Sequence, residues 1–263
     1  MRMSNTIVSK TLALVGSMIR PGMTGKEIDD AAETFIRDNG GIPSFKGYAG
    51  SFPASLCVSR NEVVVHGIPT EDLVFQDGDI VSVDCGVYLN GFHGDSAYTF
   101  PLGEVSEEAM ELCRVTNTSL YLAIEQAVAG NRLGDISHAV QHYTEKDHKY
   151  SVVRELVGHG IGRNLHEAPD VPNFGKRGRG PVLRENLVIA IEPMINLGQR
   201  TVRTASDGWT VFAKDRKWSA HYEHSVAIKK DKADILSNHS FIEEAIQQNP
   251  NVREVGVLSE ALA

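Results

Sequence analysis

The sequence predicts one α+β domain in which helices are interspersed with antiparallel hairpins. Three observations carry this. Segments of helical periodicity stand between strand-like segments bounded by turn residues. No Ser/Gly- or Pro-rich linker divides the 263 residues, a length with ample material for a core. The chain also echoes itself. "VFQDGDIVSVD" (74–84) and "VLRENLVIAIE" (182–192) both open on valine, carry an acid followed by Gly or Asn, and run through an apolar strand to a carboxylate, Asp84 or Glu192. Upstream of each stands an apolar-flanked His-Gly-Ile, in "VVVHGI" (63–68) and "LVGHGI" (156–161). Two echoes in the same order predict a duplicated half, roughly 1–150 and 151–263, with a site where the halves meet. The similarity is too short for a solenoid repeat.

The elements follow in chain order. "TLALVGSMI" (11–19) precedes Arg20-Pro21-Gly22 and reads as the end of an amphipathic helix, not as a signal peptide. In "TGKEIDDAAETFIRDNGG" (24–41), Thr24 and Glu27 form a capping box. Ile28, Ala31, Ala32, Phe35 and Ile36 make one apolar stripe, and Gly40-Gly41 ends the helix. A further helix is expected from Ser106 to about Gly130, and another from Asp135 to near Lys149. Strand signals lie around 55–66, 79–100, 150–158, 187–195, 201–213 and 218–229. The segment 167–181 reads as a loop within the domain.

Composition bounds the function. Hydrophobic content of 41% and charged content of 23% are those of an ordinary globular protein. A net charge of −8 argues against stable nucleic-acid binding over a broad surface, and the basic runs at 175–179 and 214–217 read as solvated loops. Cys57, Cys85 and Cys113 are odd in number and widely spaced, which argues against a disulfide framework or a structural zinc site and suits a reducing, cytoplasmic setting. No apolar run approaches the ~20 residues of a membrane span.

Asp84 and Asp95 then stand out, since a carboxylate in a half-buried sheet is costly. Asn90-Gly91 between them is a strong hairpin signal. With a two-residue loop, Asp84 faces Ala97 and Asp95 faces Gly86. The two carboxylates become diagonal neighbours on one face, about 7–8 Å apart at Cα. A three-residue loop would separate them. Like charges on one face call for a shared proton or a cation, and the rest of the chain favours the cation. Glu192 ends the apolar strand "LVIAIE". Glu223 lies in strand-like "SAHYEHSVAI". His159 sits in "GHGIG", where glycines permit close backbone approach. Four carboxylates and one imidazole suit two divalent ions with bridging carboxylates, and such a pair can lower the pKa of a water held between them. Oxygen-rich ligation with one nitrogen points to Mn, Fe, Co or Zn. Taken singly, each acid is more ordinarily a solvated or capping residue, and each histidine a surface or satisfied core residue. The joint pattern shifts the balance. A pair of carboxylates acting on a glycoside would leave His159, Glu223 and the echo unexplained.

These residues resemble the type I methionine aminopeptidases with the pita-bread fold. The resemblance spans roughly residues 10–246. It rests on "NEVVVHGIP" (61–69), "VDCGVYLNGFHGDSA" (83–97), "GHGIGRNLHEAP" (158–169), "IEPM" (191–194) and "DGWTVFAKDRKWSAHYEHSVAI" (207–228). It implies that Asp84, Asp95, His159, Glu192 and Glu223 are the metal ligands, with Asp95 and Glu223 bridging. It implies that His66 and His166 contact substrate, that His166 stabilises the tetrahedral intermediate, and that Glu192 takes the proton of the attacking water. Phe52, Cys57, Leu165 and Trp209 would line a methionine pocket. Leu165 stands where the family often has an aromatic residue, and Val65 replaces a frequent cysteine. The loop 45–57 is about one residue longer than in some members, which leaves Tyr48 without an assigned role. The first helix starts close to the first residue.

The implied reaction is removal of initiator methionine from nascent polypeptides, with a small second residue preferred, by a monomer in the cytoplasm that touches the ribosome transiently through 214–217 and 229–232. Two other readings compete. An X-Pro aminopeptidase or prolidase resembles the same scaffold but usually carries an extra N-terminal domain. A catalytically dead pita-bread module that binds protein or RNA would have lost ligands, and here all five remain.

Overall fold

The hairpin between Asp84 and Asp95 forms with the expected two-residue loop. In a computed structural model that describes residues 1–257, the strands Ile80–Leu89 and Phe92–Pro101 pair antiparallel, with Asp84 opposite Ala97 and Asp95 opposite Gly86. Asn90 and Gly91 take φ of 51° and 84°, the left-handed values that match the twist of such a turn. Residues 258–263 of the expected domain lie outside the described residues.

Among the described residues the strands form four sheets. Ile80–Leu89 pairs on its other edge with Leu56–Arg60 and, near its end, with Ile42–Pro43. A five-stranded antiparallel sheet runs in the order Asp234–Ile235, His224–Ala227, Val188–Ile191, Gly158–Gly160, Glu167–Val171. Two three-stranded sheets join Ser219–His221, Met194–Asn196 and Ser151–Val152, and Val202–Thr204, Val211–Ala213 and Val63–Val65.

Side chains stitch the hairpin to the C-terminal strands. Ser225 Oγ donates to Asp95 O at 2.8 Å, Glu223 N donates to Ala97 O at 3.0 Å, and Thr99 Oγ1 donates to His221 O at 2.7 Å. These bonds seat Glu223 beside the strand that carries Asp95.

The helices cover the outer faces. α1 (Arg2–Met18) buries Val8, Leu12 and Val15 and packs on the hairpin and on α5 (Ser240–Ile246). No side chain caps its N-terminus; tertiary contacts hold it instead. Ser4 Oγ donates to Phe92 O at 3.0 Å, and Asn249 Nδ2 donates to Gly16 O and Ile19 O at its far end. α2 (Gly25–Asp38) carries the expected capping box of Thr24 and Glu27. Its buried Asp29 accepts from the backbone N–H groups of Ser55 and Leu56 at 2.9 and 2.8 Å, which fixes the chain as it enters the strand bearing Cys57.

Three boundaries differ from expectation, each for a non-local reason. α3 (Glu107–Glu125), capped by Ser106, stops short of Gly130, because Ala129 and Gly130 bond instead to Lys229 O and Leu183 O. α4 (Leu133–Gln141) starts before Asp135, whose carboxylate accepts from Arg132 N, and runs into a π-helical turn over His142–Asp147. The segment 167–181 is not all loop: Glu167–Val171 pairs with Gly158–Gly160.

Candidate metal centre

The five residues singled out as ligands converge from five separate places. Asp84 and Asp95 sit on the two hairpin strands, His159 on Gly158–Gly160, Glu192 directly after Val188–Ile191, and Glu223 between Ser219–His221 and His224–Ala227. All five line one cavity of about 510 Å³, with His66 and His166. Ligand atoms of Asp95, His159 and Glu223 lie within 4.8 Å of one another. His159 Nε2 is 3.7 Å from Glu192 Oε1 and 3.9 Å from Asp95 Oδ2.

The echoed His-Gly pairs have a common physical basis. A Cβ on Gly67 would lie 2.1 Å from Val58 O, and one on Gly160 would lie 2.4 Å from Ala168 O. Neither backbone leaves room for any other residue, so each glycine lets its histidine's segment press against a neighbouring strand. The ring of His159 is oriented through Gly160: its Nδ1 donates to Gly160 O at 2.9 Å, which leaves Nε2 as a bare acceptor facing the carboxylates.

Burial dominates the electrostatics. It lifts Asp84 to about 7 and Glu192 to about 8, and it pushes Asp95 and Glu223 well above the usual carboxylate range, with the neighbouring carboxylates adding to it for Asp95 and Glu223. Burial lowers His66 and His159 to about 4, and lowers His166 and His221 as well. Asp84 Oδ1, Asp95 Oδ1, Glu223 Oε1 and His221 Nε2 are buried without a hydrogen-bond partner. An unsatisfied buried acceptor costs roughly 1–3 kcal/mol, more when charged. The three carboxylate oxygens lie on residues that line one cavity and fit a site built for cations, because cations satisfy them all at once.

Beside this acidic end the cavity turns apolar. Phe52, Cys57 and Leu165 are buried in one cluster with Phe45, Ala54 and Ile161, and Trp209 packs edge-on to Phe52 at 5.3 Å between ring centroids. Burial raises the Cys57 thiol well above its ordinary value, so it stays protonated and serves as soft apolar wall.

Two residues beside the site take their place from the structure and not from the sequence. Tyr48 OH hydrogen-bonds His166 Nδ1 at 2.5 Å and lines the cavity. His221 Nε2 faces Glu192 Oε2 at 3.6 Å. His221 stands two residues before Glu223, a spacing that could have flagged it; no pattern in the sequence signals Tyr48.

Comparison with known proteins places this geometry. Residues 1–230 match metallopeptidase family M24. The chain is 51% identical over 237 residues to a methionine aminopeptidase of Clostridium acetobutylicum, covering 90% of this chain and 94% of that one. Among solved structures, a methionine aminopeptidase of Thermotoga maritima superposes with a TM-score of 0.88 at 42% identity, covering 90% and 95% of the two chains. A prolidase of Pyrococcus furiosus shares the fold at a TM-score of 0.71 and 21% identity; the match covers 90% of this chain and 62% of the prolidase. The architecture is the pita-bread fold that the sequence resemblance implied. With the family match spanning most of its length and its buried carboxylates gathered around one histidine, this chain belongs to metallopeptidase family M24.

Proposed function

We infer that this chain is a methionine aminopeptidase that removes the initiator methionine from nascent polypeptides with a small second residue. The observation that carries the reading is the cavity itself, which joins a buried carboxylate cluster to an apolar wall of Phe52, Cys57, Leu165 and Trp209.

Asp84, Asp95, His159, Glu192 and Glu223 would hold two divalent ions, drawn from Mn, Fe, Co and Zn. Four carboxylates and neutral imidazoles match the charge of two such ions, and Asp95 and Glu223 would bridge them. When bound, the ions supply Lewis acidity, lowering the pKa of a water and polarising the scissile carbonyl.

The chain's own groups do the rest. Phe52, Cys57, Leu165 and Trp209 take the methionine side chain and bring the peptide bond over the carboxylates. Glu192 accepts the proton of the attacking water. His66 contacts the substrate. His166 donates from Nε2 to the oxygen that gains charge; Tyr48 O–H donating to Nδ1 places the proton on Nε2. Tyr48→Phe therefore lowers kcat about fivefold with little change in KM, the ~1 kcal/mol net worth of one neutral hydrogen bond. Steady-state kinetics on a tripeptide check this, and an unchanged kcat counts against it.

We take the described chain as one domain whose halves meet at the site; the bonds from Asp95 and Ala97 to Ser225 and Glu223 support this. No helix among the described residues is long and apolar enough to cross a membrane. A monomer working in the cytoplasm, touching ribosomes through 214–217 and 229–232, completes the reading.

The deciding experiment is a peptide panel. Purified protein supplied with Mn²⁺, Co²⁺ or Fe²⁺ releases methionine from Met-Ala-Ser and leaves X-Pro peptides intact. Absence of methionine release with every metal, or preference for X-Pro, overturns the assignment.

A further inference from the structure

A second cavity, of about 590 Å³, opens beside the C-terminal end of α4 and shares no lining residue with the central one. Its wall carries "HAVQH" (138–142). Residues four apart on an α-helix stack on one face. The imidazoles of His138 and His142 do so here, with ring centroids 5.4 Å apart and planes inclined by 35°.

The helix changes at this point. Over His142–Asp147 it widens into a π-helical turn, in which His148 N reaches Tyr143 O, five residues back, at 3.3 Å. Such turns are rare and often mark functional sites. In an ordinary α-helix a residue five positions on is rotated about 140° away. The widened turn instead brings Asp147 alongside His142, with Oδ2 3.4 Å from His142 Nδ1. A carboxylate beside one ring nitrogen, with the other turned to a metal, is the arrangement that orients metal-binding histidines generally. Asp135, on the same wall, is already committed: its oxygens accept from Arg132 N at 2.7 Å and Gly178 N at 2.8 Å. Arg177 also lines the cavity, and its charge acts on Asp135.

We propose that His138 and His142 chelate one transition-metal ion at this peripheral site, with Asp147 orienting His142 and water filling the remaining positions. Two imidazoles select borderline divalent ions, Zn²⁺, Ni²⁺ or Cu²⁺, over Mg²⁺ and Ca²⁺. The inference stands on α4 and its π turn alone and does not depend on the activity proposed above.

Zn²⁺ is the probe. Crystals of the Mn²⁺-loaded protein soaked in Zn²⁺ give an anomalous peak at the zinc edge between the two imidazoles. In calorimetric titration of the same loaded protein, the binding event at this site disappears in His138→Ala and in His142→Ala. It weakens about 10–100-fold in Asp147→Asn, the range for loss of a carboxylate behind a ligating histidine. His142 and Asp147 are exposed and His138 is half-buried outside the core, and all three variants retain the parent's methionine release without added Zn²⁺. No zinc peak at 138/142, or identical titrations for parent and His142→Ala, overturns the proposal.

Discussion

Glu192→Gln lowers kcat by about 10²–10⁴, the range by which a positioned general base accelerates a reaction. The substitution preserves the volume and shape of a side chain that follows the strand Val188–Ile191 and is held among His159, His221 and the hairpin aspartates. What it removes is the ability to take a proton. In the metal-free protein, burial lifts the acid to about 8. The KM for Met-Ala-Ser stays close to the parent's, because the apolar pocket of Phe52, Cys57, Leu165 and Trp209 is untouched. Metal content is measured alongside kinetics, since Glu192 is also one of the proposed ligands. A variant that keeps parental metal content and loses less than about tenfold in kcat would remove Glu192 from the proton-accepting role.

The stability of the metal-free protein falls as pH rises from 6.5 to about 8, and added Mn²⁺ reverses the trend. Two sets of groups act in opposite senses. His66 and His159 have folded pKa values near 4 against an ordinary 6.5, so the unfolded chain binds more protons between those values and stability rises with pH there. Asp84, near 7 when folded against 3.8, and Glu192, near 8 against 4.5, hold protons that the unfolded chain has already lost. Stability therefore declines as pH rises toward their folded values. Below 6.5 the two sets oppose each other; above it the histidine contribution fades, and the carboxyl contribution is opposed by the Met1 amine, which burial lowers from its ordinary 8.0. The carboxyl contribution is on the order of a few kcal/mol. Divalent ions bind the deprotonated carboxylates, so their stabilisation grows across the same window, reaching about 2.7 kcal/mol for an ion at a hundred times its Kd. Thermal unfolding with chelator and with Mn²⁺, at pH 6.5 and 8, reads both slopes. A chelated protein whose Tm is flat or rising across this interval contradicts the arrangement.

The parts legible in the sequence were those written in local patterns. Asn90-Gly91 specified the loop length, and the period of two then fixed Asp84 and Asp95 on one face. Thr24 and Glu27 announced α2. The candidate site was read as a set because each ligand ends or adjoins an apolar strand, and the structure brings all of them to one cavity. What stayed hidden depends on partners distant in the chain. Tyr48 meets His166 across 118 residues, in a loop whose own sequence carries no such signal. Glu167–Val171 is a strand only because Gly158–Gly160 lies beside it. The last turn of α3 is lost to bonds with Lys229 and Leu183, and the π turn after α4 is invisible to a period of 3.6.

The stitching of Asp95 to Ser225 has a consequence during synthesis. Two of the four acids proposed to hold the ions, Glu192 and Glu223, leave the peptidyl-transferase centre long after Asp84 and Asp95. Until then the half-made polypeptide carries only half of the carboxylates that we propose hold the ions. On that reading, an enzyme that trims newborn chains stays idle while it is itself being made.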